Sequence, residues 1–348
     1  MAITIRTAAV TGQNRCEILQ LETPDLRPGE ALVKVHAVAL CTLEQRIFRG
    51  EVKLPLPCTG GHEVSGEIVA LGPGVNRKRW AEGCRVAVRL LYSCGECYYC
   101  RTGHTNMCER AQKKPVREGL LPGPGGLCDY VIVDTAALFL IPDTLTYEEA
   151  CLTEPLACVV HSVNRANIRL GEDVVVIGGG IMGQFHVMLA KRRGARVILS
   201  EVDPGRGALG RQLGADFICN PMEVDPVEYV KSITEGRGAD VVFNTTAIPT
   251  VVPQAIAMTG RAGRMIQYSS MHPDAPTPVS PQMLHGTETI LTGSISPDMQ
   301  DFSTANRLLS NAIVDCKPLI ARTFPFDRAQ EAFEAAIVPG TFRVIVTD

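Results

Sequence analysis

Cys94, Cys97, Cys100 and Cys108 stand in the pattern C-x2-C-x2-C-x7-C. Four thiolates arriving from one short loop can close a tetrahedron around Zn²⁺, with Zn–S bonds of ~2.3 Å and no open position. An iron–sulfur run of the C-x2-C-x2-C-x3-C-P type fits less well, because the last interval is longer here and Glu109 follows Cys108. Four unliganded thiols would need burial, and the flanking GE, YY and RTGHTN segments offer no core. The spacing therefore predicts a structural zinc, folding a lobe with almost no hydrophobic core of its own.

A second constellation lies downstream. Gly178, Gly179, Gly180, Ile181, Met182 and Gly183 spell G-x-G-x-x-G, directly after the apolar run VVVI and before the helical stretch MGQFHVMLAKRRG. In that context the motif predicts a dinucleotide site. Gly178 permits the tight turn, Gly180 lets a pyrophosphate approach the backbone, and Gly183 packs helix on strand. Glu201 ends ARVILSE about 20 residues on, where a carboxylate accepts from a ribose 2′-OH and repels a 2′-phosphate. NAD is therefore expected over NADP. Arg206 nearby argues the other way, unless it is a solvated surface charge.

Three further places carry zinc-type ligands: Cys41 at the end of an apolar strand, His62–Glu63 in GGHEVSG, and Glu154 in LTEPLACVVH. Singly, each has an ordinary role in packing, hydrogen bonding or opening a helix. Together, with one open position, they would make a catalytic rather than a structural zinc site. Sequence separation alone does not show that they converge.

These residues need elements to hold them. The runs ALVKVHAVAL, EVSGEIVALG and RVAVRL read as strands bounded by the turn signals RPGE, GPGV and EGC. Thr146 and Glu149 form a capping-box pattern for a helix near 142–155. From Gly171 the texture becomes strand–helix alternation: DVVVI, ARVILSEVD, ADFICN, ADVVFNTT and RMIQYSS, the pattern of a parallel sheet wrapped on both faces. MHPDAPTPVSPQ reads as a surface loop. Around 290 short strands return, and the chain ends in FRVIVTD.

The 348 residues are 45% hydrophobic and 20% charged, which excludes a disordered or fibrous protein. A net charge of −3 and a pI near 6.2 give no electrostatic reason to expect nucleic acid or an anionic membrane. No apolar run reaches the ~18 residues of a membrane span. The start MAITIRTAAV does not read as a signal peptide, so a cytoplasmic protein is expected. In that setting an odd count of 13 cysteines argues against a disulfide framework.

In this order, the features resemble the zinc-containing medium-chain dehydrogenase/reductase superfamily, the alcohol and polyol dehydrogenases, essentially end to end. The likeness rests on the Cys41 region, Gly61–Glu63 with VSGEIVALGPGV following, and the Cys94–Cys108 lobe. EP-L-A at 154–157, the glycine-rich turn and the terminal FRVIVTD complete it. The resemblance implies an α/β chain with a GroES-like, mainly β catalytic domain and a Rossmann coenzyme domain built on a doubly wound parallel sheet. Expected boundaries are 1–154 for the catalytic domain with its lobe at 94–108, 155–289 for the coenzyme domain, and 290–348 for an edge strand and the return.

The resemblance also implies roles. Cys41 and His62 would ligate catalytic zinc, with Glu154 third, as in polyol- and threonine-type enzymes, where alcohol dehydrogenases have a second Cys. Glu63 would ligate or swing toward the metal, and Glu44 would brace His62. Arg343 would touch the pyrophosphate, unless it is an ordinary strand-edge charge. Ile181 and Met182 would border the cofactor. The implied chemistry is Lewis-acid-assisted hydride transfer between a secondary alcohol of a polyol, sugar, cyclitol or amino alcohol and NAD.

One departure stands out. Leu43 occupies the position where relatives place a Ser or Thr that relays the substrate proton, and Arg46 and Ile47 stand where His or Tyr is common. Thr42 takes over, or Glu63, Glu154 and water shuttle the proton, or the reaction differs. Arg46 would meet the nicotinamide ribose or an anionic substrate group. A reductase or redox-neutral enzyme, epimerase- or lyase-like, is the alternative, and a catalytically inactive nucleotide-binding protein the third reading. A homodimer or homotetramer joined at the sheet edge near TILTGSIS is expected, with Cys58, Arg89, Tyr92 and residues 113–128 lining the substrate pocket.

Overall fold

The computed structural model describes residues 3–52, 54–111 and 116–348. Residues 113–115 of the expected pocket-lining stretch lie outside them. Two compact units emerge: residues 1–157 with 297–348, and residues 158–296.

The first unit is mainly β. Its strands run β1 Thr4–Gly12, β2 Arg15–Glu22, β3 Glu30–Leu40, β4 Cys58–Thr59, β5 Glu63–Leu71, β6 Arg85–Arg89, β7 Tyr130–Asp134 and β8 Leu138–Leu140. The second unit contributes β9 Asp173–Ile177, β10 Arg196–Ser200, β11 Phe217–Cys219, β12 Ala239–Asn244, β13 Thr259–Gln267 and β14 Ile290–Gly293. The chain then adds β15 Ile320–Pro325 and β16 Arg343–Thr347 to the first unit.

A three-stranded sheet has the order β2-β1-β4, and a larger one runs β15-β16-β3-β5-β6-β8, with β7 also on β3. β3 carries the long apolar run ALVKVHAVAL because it is central, pairing with β5, β7 and β16. Buried side chains from both sheets, among them Val10, Val33, Leu40, Val64, Val88 and Val344, form one core. Cys58 belongs to it and is fully buried, so it does not line a pocket.

Register is what matters for the site. Ala39 pairs with Glu63, Glu63 with Arg89, and Leu40 with Val344. The end of β3, the start of β5, the end of β6 and the start of β16 therefore meet at one edge of the sheet. Thr146 and Glu149 do close a capping box, on a short helix Tyr147–Ala150. Past 290 the strands are interrupted by helices Met299–Ser310 and Ala329–Ala336, the first opened by an Asp298–Asp301 capping box.

The second unit is a parallel sheet of order β11-β10-β9-β12-β13-β14 with helices between its strands. Strand β9 is fully buried, as its apolar run Val174–Ile177 requires of a central parallel strand. Chain order reverses beside it, which makes its carboxyl end the crevice where such sheets bind ligands. MHPDAPTPVSPQ is mostly exposed and follows β13, its last two residues opening helix Pro281–Thr287. Among the described residues no helix is long and apolar enough to cross a membrane.

Candidate functional site

The four lobe cysteines gather as the spacing requires: their sulfurs all lie within 4.8 Å of one another. Tetrahedral bonds of about 2.3 Å would set them about 3.8 Å apart, so the cluster fits a zinc ion with little adjustment. Backbone amides aim at the sulfurs. Cys94 N–H donates to Cys108 Sγ at 3.3 Å, Cys97 N–H to Cys94 Sγ at 3.4 Å, and Arg110 N–H to Cys108 Sγ at 3.4 Å. Such donors favour thiolate. The amides of Cys100 and Glu109 bring the Cys97 thiol down to about 6, whereas desolvation holds Cys100 up at about 12.

Cys41 and His62 also converge, by way of the strand register. Cys41 follows β3 and caps helix Thr42–Phe48, its Sγ accepting from Leu43 N–H at 3.2 Å. His62 precedes β5, and its Nε2 lies 3.5 Å from Cys41 Sγ. Tetrahedral bonds of about 2.3 Å to sulfur and 2.0–2.1 Å to nitrogen put those two atoms about 3.5 Å apart. Glu154, in the first turn of helix Thr153–Ala166, brings Oε2 to 3.9 Å from His62 Nε2. This donor set of one sulfur, one nitrogen and a carboxylate could hold zinc with a position left open.

Glu44 ties the arrangement together. Fully buried, it accepts from Cys41 N–H at 3.1 Å, Gly61 N–H at 2.9 Å and His62 Nδ1 at 2.9 Å. Burial pushes its carboxyl up, but His62 and these donors outweigh that and hold it at about 2. The bond at Nδ1 turns Nε2, as the free lone pair, toward the metal position. In the metal-free chain, desolvation lifts the Cys41 thiol to about 11, so zinc would displace its proton on binding.

Among the described residues it is Glu63, not Glu154, that completes a close cluster with Cys41 and His62, the three ligand atoms lying within 4.8 Å of one another. It is paired with Arg343, whose Nε donates to Oε2 at 2.9 Å and whose Nη2 donates to Oε1. Desolvation lifts Glu63 to about 7 against the pull of that arginine. Arg343, expected at a pyrophosphate, has its guanidinium buried on Glu63. Thr42 and Leu43 are exposed at the helix start, and Arg46 lies 3.6 Å from Glu51.

In the second unit the glycine-rich turn follows β9. Gly178 has φ +96°, and a Cβ on Gly183 would lie 1.8 Å from Gly178 O, so neither position admits a side chain. Gly180 differs: nothing lies within 4 Å of an added Cβ. It also starts helix Ile181–Arg192 with no side-chain cap, so the first-turn amides, Ile181 and Met182 among them, have no intrahelical acceptor. Glu201 accepts from the amides of Gly179 and Asp203, the latter at 2.8 Å, which holds its carboxylate beside the turn. Arg206 donates its backbone N–H to Asp203 at 2.8 Å in the next helix. An open glycine cradle, a bare helix start and a carboxylate at the end of β10 fit a dinucleotide.

Two features escaped the sequence. The Glu63–Arg343 pair joins residues 280 apart, and only strand register brings them together. The sequence marks Arg89 only as a pocket-lining residue, and its burial across the strand pair from Glu63, with Nη1 alone hydrogen-bonded, is not legible there.

Comparison with known proteins adds the following. Residues 27–143 match the alcohol dehydrogenase GroES-like domain, and residues 182–311 match the zinc-binding dehydrogenase family. The chain is 29% identical to D-arabitol-phosphate dehydrogenase of Enterococcus avium, over 96% of its own length and 94% of that protein. It is 30% identical to sorbitol dehydrogenase of Bacillus subtilis, with the same coverage of 96% and 94%. Among solved structures, a zinc-binding dehydrogenase of Sinorhizobium meliloti 1021 bound to NADP superposes with a TM-score of 0.89 at 26% identity, covering 99% of this chain and 100% of that one.

Proposed function

Because the chain belongs to the zinc-binding dehydrogenase family and is an oxidoreductase, we propose that it oxidises a secondary alcohol of a polyol, sugar or amino alcohol with NAD, at a zinc held by Cys41, His62 and Glu154. The observation that carries this is the 3.5 Å approach of Cys41 Sγ to His62 Nε2, with Glu154 Oε2 at 3.9 Å from the same nitrogen. The relatives named for sorbitol and D-arabitol phosphate support a small hydroxylated substrate.

When bound, zinc supplies Lewis acidity that lowers the pKa of a substrate hydroxyl, and nicotinamide accepts a hydride. The chain's own residues do the rest. Glu44 fixes the His62 tautomer. Arg343 pairs with Glu63 beside the Cys41–His62 cluster and pulls its carboxyl toward the charged form against burial, and Glu63 would be at hand as a further oxygen ligand. The amides at Gly180–Met182 take the pyrophosphate, and Gly178 and Gly183 keep the turn tight against β9. Glu201 beside the turn favours the ribose diol of NAD over the 2′-phosphate of NADP. With Leu43 where a relay hydroxyl is expected, proton exit falls to Thr42, or to Glu63 and Glu154 through water. In the cytoplasm, the expected location, NAD-linked oxidation of a polyol has both partners at hand. The exposed edge strand β14, with Ile290 53% exposed, favours a homodimer or homotetramer formed through that edge.

The missing hydroxyl at Leu43 also favours a second reading, a redox-neutral enzyme that keeps NAD bound. A panel of polyols, sugars and amino alcohols with NAD⁺ and NADP⁺, followed at the NADH absorbance band, separates them. Stoichiometric NADH formation, faster with NAD⁺, supports the dehydrogenase. Product without net absorbance change assigns the redox-neutral reaction. Absence of the expected two zinc atoms per chain would overturn the metal assignment.

A further inference from the structure

Arg89 ends β6, and the reaction above gives it nothing to do. Its side chain is 4% exposed, yet only Nη1 is satisfied, donating to Leu91 O at 2.8 Å. Nε and Nη2 are buried without a hydrogen-bond partner. A buried donor on a charged group left unmet bears the full penalty of its lost hydration. The contrast with Arg343 is direct, since that buried guanidinium has its Nε and Nη2 both on Glu63. Among the described residues the anionic groups facing Arg89, Glu154 first and then Asp298 and Cys100, reach it only through their field. The cross-strand pairing sets Arg89 opposite Glu63, at the end of the sheet that carries Cys41 and His62.

Nε–H and Nη2–H form the parallel edge of a guanidinium, the edge that matches two oxygens of a carboxylate or phosphate at once. One hydrogen bond holds the group in place, so turning it toward an arriving anion costs about one such bond.

We propose that Arg89 is a specificity-determining residue: it grips an oxyanion, carboxylate or phosphate, carried by a polyhydroxylated substrate whose reacting hydroxyl lies at the Cys41–His62–Glu154 site. This rests on the dehydrogenase reading and narrows its substrate class from neutral polyols to anionic ones.

The test uses the zinc-loaded protein with NAD⁺ and three probes of equal chain length: sorbitol, gluconate and sorbitol 6-phosphate. The readout is the ratio of kcat/KM for each anion to that for sorbitol, so a general loss of activity cancels. The wild type is expected to favour one anion roughly ten- to a hundredfold, the gain of a charged, two-point hydrogen bond. Arg89→Gln brings that ratio near one. Arg89→Lys, which keeps the charge but not the fork, falls between and guards against a variant that fails to fold. Which anion wins separates carboxylate from phosphate. A wild-type ratio at or below one for both anions overturns the proposal, as does a ratio unchanged in Arg89→Gln. So does a uniform loss accompanied by zinc loss, which would make Arg89 a support for Glu154. A second arm needs no turnover: the favoured anion raises the melting temperature of the wild type but not of Arg89→Gln. If no probe is oxidised and that shift persists, the dehydrogenase reading fails while the oxyanion site stands.

Discussion

The cysteine lobe and the Cys41–His62 cluster solve one problem, the gathering of metal-type ligands, in opposite ways. In the lobe, four cysteines come from one short segment whose helix Tyr98–Arg101 has no buried residue, and Tyr98 itself is 70% exposed. Little besides amide–sulfur bonds holds that segment, so the metal has to supply its folding energy. At the sheet edge the reverse holds. Cys41, Glu63 and Arg343 are buried at strand ends whose registers are set by a large apolar core, and Glu44 is buried in the first turn of the helix that follows β3. There the fold makes the metal site, and in the lobe the metal makes the fold.

The contrast breaks or survives on two substitutions. Cys97→Ser removes one ligand of the lobe, where zinc in small closed sites is worth roughly 10–16 kcal/mol of binding tied to folding. The expected outcome is loss of one zinc per chain, rapid proteolysis between residues 94 and 111, and a lowered melting temperature. Metal analysis with limited proteolysis reads it. Cys41→Ser acts on the preformed site, and the melting temperature should move little. The rate of alcohol oxidation should fall about a thousandfold or more, the several kcal/mol that a Lewis acid contributes. If Cys41→Ser unfolds the chain as thoroughly as Cys97→Ser, the sheet-edge site is not preformed.

The same contrast explains what was legible in the sequence. Lobe and glycine-rich turn are local, so spacing alone displays them: C-x2-C-x2-C-x7-C in one case, and in the other a Gly183 that cannot carry a Cβ 1.8 Å from Gly178 O. The parallel sheet was legible for a similar reason, because each strand–helix step leaves its own apolar run. Cys41, His62 and Glu154 were visible only as isolated ligands, and likeness to a family had to join them. What brings Cys41 and His62 together is the pairing of Ala39 with Glu63, a property of the whole sheet, while Glu154 arrives from a separate helix. Arg89 was still less legible, since its meaning lies in donors that no local residue meets. Helix Met299–Ser310 is a different case: its Asp298–Asp301 box was present in the sequence among residues expected to form strands.

The finest test of a preformed site leaves every ligand in place. Glu44→Gln keeps the volume, and Gln serves as well as Glu at the third position of a capping box. One amide oxygen, however, cannot replace two carboxylate oxygens. Either the bond to His62 Nδ1 and Gly61 N–H survives, or the bond to Cys41 N–H does, and the negative charge behind His62 is gone in both cases. Loss of such a brace typically weakens metal binding 10–100-fold. Competition with a chelator should therefore show one zinc released more easily by about that factor, with the lobe zinc unmoved. Equal loosening of both metals would mean that Glu44 supports the whole unit. No loosening would mean that the core alone aims His62, an even stronger form of the difference between the two sites.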